Sequence, residues 1–287
     1  MPTNHRTQSV FTCLLLLLPA AIAAGQSAQV PSAVDSAQHQ VMAYLSKLAD
    51  LHCTESVMQQ KFAANGHVEA SEQAQYDYLV MIGGNGDDLQ LNESRIESSA
   101  SRSKPLPMLV TNGFSTVLLV FHPYYRDSFQ FNVGADEIVD GRELIPVGFS
   151  HIPGRRSPAA LALRGREFPL DLTGTAWLDR KSGEVVKIDA SLLHDMSDVG
   201  LRSLTIHVEY KQARLGKAST TMTLPALAVV DVATPRQHWR NTHVFEDYKS
   251  FSTDAEQDTK VKIRAENVAP NKDDTTTTAA ADAKENQ

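Results

Sequence analysis

Apolar residues of the N-terminal third first recur at helical spacing and then begin to alternate. Between Val34 and Leu51 they stand three, four or seven residues apart, which predicts one long helix with a single apolar stripe. From Tyr76 to Ile82 every second residue is apolar, and the alternation resumes at Leu89 after a Gly/Asn/Asp-rich stretch, 83–88. This change of period predicts a strand, a loop and a second strand.

The second half of the chain is dominated by alternation broken at short polar turns. Asp140-Gly141 is the dipeptide most typical of a two-residue hairpin turn. We also expect a short buried helix at 112–122, and a basic loop at 153–166 that could hold one helical turn. The remaining predicted strands lie at 129–133, 144–152, 173–179, 184–192, 204–210, 220–224 and 239–248.

Short loops between successive strands indicate antiparallel pairing, because a parallel crossover needs a dozen or more residues and usually a helix. The pattern therefore disfavours a doubly wound nucleotide-binding fold. It predicts an α+β protein with a curved antiparallel sheet, a half-barrel, covered by the long N-terminal helix and by short helices.

The two ends of the chain differ in composition from its middle. Residues 1–24 carry Arg6, no acid and an apolar run of about 14 residues that ends on small residues, as in a secretory signal peptide. The run contains Pro19 and is too short to span a membrane, for which about 20 residues are needed. We expect a linker at 25–33, one domain at 34–252, a disordered polar tail at 253–287, and a periplasmic or secreted protein.

Composition narrows the class of partner. The chain has 27 Lys plus Arg and 34 Asp plus Glu, a net charge of −7, which argues against a nucleic-acid scaffold. Removal of residues 1–24 takes away Arg6 and changes the charge to −7 − 1 = −8. It also removes Cys13, so that Cys53 has no internal disulfide partner and is interpreted as a packed structural thiol.

Signals for catalysis are weak. Ser115 and Ser150 follow a Gly-Phe pair but lack the second glycine of a nucleophile elbow. His238 and His243 are not spaced as helical zinc ligands, and five residues apart in a strand they face opposite sides. The sequence therefore predicts no catalytic residue, no metal ligand and no cofactor. One alternative remains a secreted hydrolase whose site combines loop residues such as His151, His238 and Asp179, and another is a purely structural or interaction domain.

Several segments together resemble a known group of proteins. The long helix, the paired strands at 76–82 and 89–96, the Asp140-Gly141 hairpin and the segment 174–188 (GTAWLDRKSGEVVKI) resemble the LolA/LolB/RseB-like periplasmic lipoprotein-handling proteins. The segment 240–248 (RNTHVFEDY) is similar to the C-terminal part of uncharacterised exported proteins of soil bacteria.

This resemblance implies a concave apolar sheet face that holds an acyl chain or a hydrophobic peptide. It favours an exported, non-enzymatic binder or carrier of lipid, lipoprotein or hydrophobic peptide, without a membrane span once the signal is cleaved. The alternative is that the same side chains pack against Tyr44, Leu45 and Leu48 as a filled core. The residues expected to line the apolar cavity are Phe129, Phe131, Trp177, Ile188, Ile206 and Val208.

Overall fold

A computed structural model of the chain describes residues 23–48, 51–83, 89–97, 111, 114–163, 165–215 and 221–251. Most of the predicted signal peptide, the loop at 84–88 and the predicted disordered tail lie outside these residues. The predictions made for those three segments stay predictions. Within the described part of the chain, no helix is long and apolar enough to cross a membrane.

Two α-helices, one 3-10 helix and thirteen strands make up the described fold. The helices are α1 (Ala23–Leu48), a 3-10 helix (Phe114–Phe121) and α2 (Pro123–Arg126). The strands are β1 (Leu51–Phe62), β2 (Val68–Gly83), β3 (Gln90–Glu97), β4 (Phe129–Val133), β5 (Glu137–Val139), β6 (Arg142–His151), β7 (Ala160–Leu163), β8 (Arg166–Pro169), β9 (Leu172–Asp179), β10 (Val185–Leu192), β11 (Ser203–Arg214), β12 (Thr221–Ala233) and β13 (His238–Ser250).

Eleven strands form one open antiparallel sheet. Their order is β3-β2-β1-β13-β12-β11-β10-β9-β6-β4, with β5 also paired to β6, while β7 and β8 form a separate hairpin. Because β3 and β4 lie at opposite ends of this order, the sheet is not closed into a barrel. The predicted α+β class, an antiparallel sheet with a long N-terminal helix, is confirmed.

The sheet is curved around α1. In a flat sheet, β2 and β11 would lie about 19 Å apart, four strand spacings of about 4.8 Å. Buried residues of β2, such as Tyr78, and of β11, such as Tyr210, nevertheless belong to one core cluster with Tyr44 of α1. The concave face therefore wraps around the helix, and its apolar residues form one core together with α1 and the 3-10 helix.

Helix α1 begins at Ala23, eleven residues before the predicted start at Val34, and ends at Leu48. The linker expected at 25–33 is therefore helical. Its polar composition suggested a linker, but Val30 packs against the core and Ala33 is buried, so that the apolar stripe continues towards the N-terminus.

The hairpin predicted at Asp140-Gly141 is confirmed. Both residues have positive φ angles, 50° and 76°, as a type I′ turn requires, and they join β5 to β6. The hairpin predicted around 180–183 joins β9 to β10, and Gly183 there has a φ of 73°.

The basic segment at 153–166 differs from the prediction. No helical turn forms among the residues of this segment that the structure describes, and its end builds the β7–β8 hairpin, which turns through Gly165 at a φ of 74°. The run Ala160–Leu163 is entirely apolar, so its period does not distinguish a short strand from a helical turn.

Candidate functional site

The concave sheet face gathers five of the six side chains predicted to line a cavity. Phe129, Ile188 and Val208 are fully buried there, while Phe131 and Ile206 are partly buried against the same core. Register explains the grouping, since Ile188 pairs with Val208 and Phe131 with Phe149.

Trp177 lies on the other, outer face of the sheet. Its neighbours Ala176 and Leu178 are buried on the concave face, and adjacent strand residues point to opposite faces. The Trp177 indole Nε1 donates to Glu137 Oε2 at 3.0 Å, and Lys187 Nζ lies 3.7 Å from the ring centroid. Trp177 therefore lies on the outer face, whereas the sequence analysis expected it to line the interior.

A small cavity lies between the C-terminal half of α1 and the sheet. Its volume is about 70 Å³, well below the roughly 300–1,000 Å³ of ordinary ligand pockets. Residues from α1, the 3-10 helix and strands β10 to β12 line it, among them Val41, Tyr44, Leu118, Val185, Tyr210 and Met222.

Two buried hydroxyl groups beside this cavity lack a hydrogen-bond partner among the described residues. They belong to Tyr44 and Tyr210, whose residues are 9% and 3% exposed. Burial raises the pKa of both phenols well above the ordinary value, so both are neutral donors at physiological pH. Unpaired buried hydroxyls are costly and rare in folded proteins, which makes this cavity a candidate for a ligand's polar group.

A second, wider cleft opens beside the N-terminal half of α1. It has a volume of about 340 Å³ and lies between Ser32, Ala33 and Ser36 of the helix and the strands β6 and β9. Its wall combines the apolar Ile145 and Leu178 with charged groups at the β9–β10 turn.

A buried polar network occupies another part of the concave face. Glu55 is fully buried and accepts hydrogen bonds from Arg95 Nε at 2.5 Å and Arg95 Nη2 at 2.9 Å. Its Oε1 also lies 2.8 Å from His243 Nδ1. His243 Nε2 lies 3.0 Å from Thr111 Oγ1, which accepts a hydrogen bond from Asn241 Nδ2 at 2.9 Å. We call these five residues the concave polar network.

Register brings four members of this network to one face. Glu55 shares a face of β1 with Val57 and Gln59, which pair with His243 and Asn241 of β13. Tyr78 of β2 pairs with Cys53 of β1 and with Arg95 of β3, so Arg95 lies on the same face. Sequence analysis missed the network, because Glu55 and His243 are 188 residues apart. The one local signal is that Glu55 stands in phase with the buried Cys53 and Val57.

The network keeps Glu55 ionised. Burial alone would raise the pKa of this carboxyl group, but hydrogen bonds from His243 and Arg95, together with the positive charge of Arg95, hold its pKa below the ordinary value. A fully buried carboxylate is tolerated only with such partners.

The residues proposed for a loop-built hydrolase do not converge. His151 and Asp179 lie near opposite ends of the β6–β9 pair, where Ser150 pairs with Thr173 and Leu144 with Asp179. His151 is bonded to Asp171 at 2.7 Å, and Asp179 caps the β9–β10 turn by accepting from the Lys181 and Ser182 amides.

The two histidines of β13 face opposite sides of the sheet, as predicted. His243 is buried on the concave face, whereas His238 binds Asp231 at 2.7 Å and stacks on Phe62. In the described part of the chain, no group of three His, Cys, Asp or Glu side chains is arranged to hold a metal ion.

Cys53 is buried, with 2% of its surface exposed, and burial raises the pKa of its thiol to about 12. At pH 8 this pKa leaves about a thousandfold less thiolate than an ordinary cysteine has. We therefore expect Cys53 to react with dithionitrobenzoate at least about a hundredfold more slowly than an exposed thiol. A Cys53→Ala/Ser46→Cys variant, with its thiol on the exposed side of α1, supplies the reference rate. Equal rates would contradict this assignment.

Comparison with known proteins gives structural neighbours only. No family model matches the chain, and no curated protein matches it. The solved structures similar to it include a DUF1329 family protein from Desulfovibrio piger, at 11% identity and a TM-score of 0.41. They also include a LolA superfamily protein from Nitrosomonas europaea, at 12% identity and a TM-score of 0.35. A third is a proposed outer membrane lipoprotein-sorting protein domain from Vibrio parahaemolyticus, at 12% identity and a TM-score of 0.39.

Each of these matches covers 77% of this chain and 93% of the other. A LolA superfamily protein and a lipoprotein-sorting protein domain, the kind of protein that the sequence resembles, are thus among its structural neighbours.

Proposed function

We propose that this protein binds one hydrophobic chain, such as the acyl chain of a lipid or lipoprotein, between α1 and the concave face of the sheet. In this proposal it is an exported carrier of the cell envelope. The observation that supports it is the cavity under α1, which is lined by Tyr44 and Tyr210, two tyrosines whose buried hydroxyls have no partner among the described residues.

The chemistry of that cavity suits a ligand with one polar end. A carboxylate or ester oxygen accepts hydrogen bonds, and the hydroxyls of Tyr44 and Tyr210 are neutral donors. The apolar remainder of the ligand would lie along Val41, Leu118 and Val185, which line the same space.

Binding requires α1 to move, since a cavity of about 70 Å³ cannot hold a long chain. The ligand would take the place of the apolar stripe that the helix now buries. Polar contacts also hold the helix: Gln40 Nε2 donates to the Ser182 carbonyl at 2.8 Å, and Arg126 pairs with Asp35 at 2.7 Å. Exposed contacts of this kind contribute little to stability, about 0–1 kcal/mol each.

A disulfide that ties α1 to the β9–β10 turn tests this proposal. A Cβ atom built on Gly183 lies 3.2 Å from the Ser36 Cβ, close to the 3.5–4.5 Å found in disulfides. In a Cys53→Ala background, we expect the oxidised Ser36→Cys/Gly183→Cys variant to bind a dansyl-labelled fatty acid at least about tenfold more weakly than its reduced form. Dansyl emission measures the binding.

The Ser36→Ala/Gly183→Cys variant, treated with the same oxidant, is the control. It carries the same strain of a side chain at positive φ, about 1 kcal/mol, without the Ser36 Oγ that would lie 2.0 Å from the new Cβ atom, and it cannot form the crosslink. Equal affinity of the oxidised and reduced double variant would contradict a moving helix. Failure of the unmodified protein to bind the labelled fatty acid would contradict the carrier function itself.

A further inference from the structure

Three side chains of the concave polar network stand in the order hydroxyl, imidazole, carboxylate. Thr111 Oγ1 lies 3.0 Å from His243 Nε2, and His243 Nδ1 lies 2.8 Å from Glu55 Oε1. Both distances are within hydrogen-bond reach, and each histidine nitrogen faces a different partner. This is the geometry of a nucleophile, a general base and the carboxylate that orients the base.

Hydrogen-bond partners fix where the protons lie. Asn241 Nδ2 donates to Thr111 Oγ1 at 2.9 Å, so the threonine hydroxyl accepts on that side and directs its own proton towards His243 Nε2. His243 Nδ1 faces a carboxylate that can only accept, and it therefore carries the imidazole proton. His243 is thus held in the tautomer whose Nε2 accepts a hydrogen bond, which a general base requires.

We propose that Thr111 and His243 are catalytic residues for the hydrolysis of carboxylic esters, with Glu55 and Asn241 as positioning residues. Thr111 Oγ1 attacks the ester carbonyl carbon, and its proton passes to His243 Nε2. The bond to the leaving oxygen breaks as the imidazolium returns that proton to it, releasing the alcohol. Water, deprotonated by the same nitrogen, then attacks the threonine ester and releases the carboxylic acid, which restores the hydroxyl.

The charged groups beside His243 carry a net negative charge. Glu55, Glu93 and Arg95, which pairs with both carboxylates, have a formal sum of −1, and an imidazolium would bring the group to neutrality. Phe245 lies against the histidine ring in a stacked arrangement, with the centroids 6.4 Å apart. Glu55 and His243 are fully buried, whereas Thr111 is only partly buried.

The test uses small soluble esters, so that it does not depend on acyl-chain binding under α1. We expect the mature protein to hydrolyse p-nitrophenyl acetate, with the Thr111→Val variant slower by about a hundredfold or more. Thr111→Ser keeps the hydroxyl and its hydrogen bonds and should remain active. Glu55→Gln should lower kcat with little change in KM, because its effect acts through the orientation of His243.

Two measurements guard against loss of structure as the cause. The His207→Gln variant removes another histidine paired with an aspartate, Asp189, on the outer face of the sheet, and should leave the rate unchanged. A fluorophosphonate probe should label the unmodified protein on the peptide that contains Thr111, which needs no variant. No hydrolysis above the Thr111→Val rate, or no adduct on that peptide, would overturn the proposal and leave the network a structural one.

Discussion

Replacement of Arg95 by Leu should lower the free energy of unfolding by about 3–5 kcal/mol, measured by chemical denaturation at neutral pH. Arg95 donates two hydrogen bonds to Glu55, which is fully buried. Without the guanidinium group, the carboxylate keeps the imidazole of His243 as its partner but loses the adjacent positive charge. A buried charge left without full compensation accounts for the size of the effect.

Arg240 provides the matched control. It also makes two contacts with a carboxylate, Asp231, but it lies on the outer face with 47% of its side chain exposed. Arg240→Leu should cost about 0–1 kcal/mol, since solvent screens exposed pairs. Equal losses for the two variants would contradict the burial of the concave polar network.

At acidic pH, the difference in the free energy of unfolding between the unmodified protein and the Arg95→Leu variant should become smaller. The pKa of Glu55 in the folded protein lies below its unfolded value, so its ionised form stabilises the fold above about pH 4.3. This contribution is lost as the pH falls through the depressed pKa. Burial raises the pKa of Glu55 in the variant, so the difference between the two proteins should shrink as the pH falls from that pKa through the depressed pKa of the unmodified protein.

Gly174→Ala should lower the free energy of unfolding by about 3 kcal/mol or more, or prevent folding. The reason is that strand β9 approaches its neighbours too closely at this position for a side chain. A Cβ atom on Gly174 would lie 2.1 Å from the Asp189 carbonyl oxygen, 2.7 Å from Phe149 Cζ and 2.9 Å from the Ala190 Cα. Two of these three atoms belong to the backbone, so relief requires the β9–β10 pair to separate. Thermal and chemical denaturation measure the loss.

Gly154→Ala is the comparison. Gly154 has a φ of 80° and open space around it, so the substitution introduces strain alone and should cost about 1–2 kcal/mol. Addition of Phe149→Leu to Gly174→Ala should not restore stability, because the nearest clash is with the Asp189 carbonyl. Recovery in that double variant would show that the aromatic ring, and not the backbone, limits the site.

Local patterns of sequence determined the class of fold. Asp140-Gly141 predicts a hairpin because only residues that tolerate positive φ form its turn, and both adopt positive φ. The stripe from Val34 predicts a helix for the equally local reason that helical periodicity places these side chains on one side. Strand β1 was missed because the charged Glu55 interrupts its apolar alternation.

Tertiary structure alone decided what the concave face contains. Alternation places Trp177 opposite Ala176 and Leu178, but which of the two faces is concave depends on where α1 packs. Whether the interior is filled or holds an open cavity also depends on where α1 packs. The hydrogen bonds of Glu55 in the concave polar network join residues that are 40 and 188 positions apart in sequence. These hydrogen bonds form between strands that meet only in the folded sheet. No local pattern encodes such contacts, because they depend on strand order and curvature.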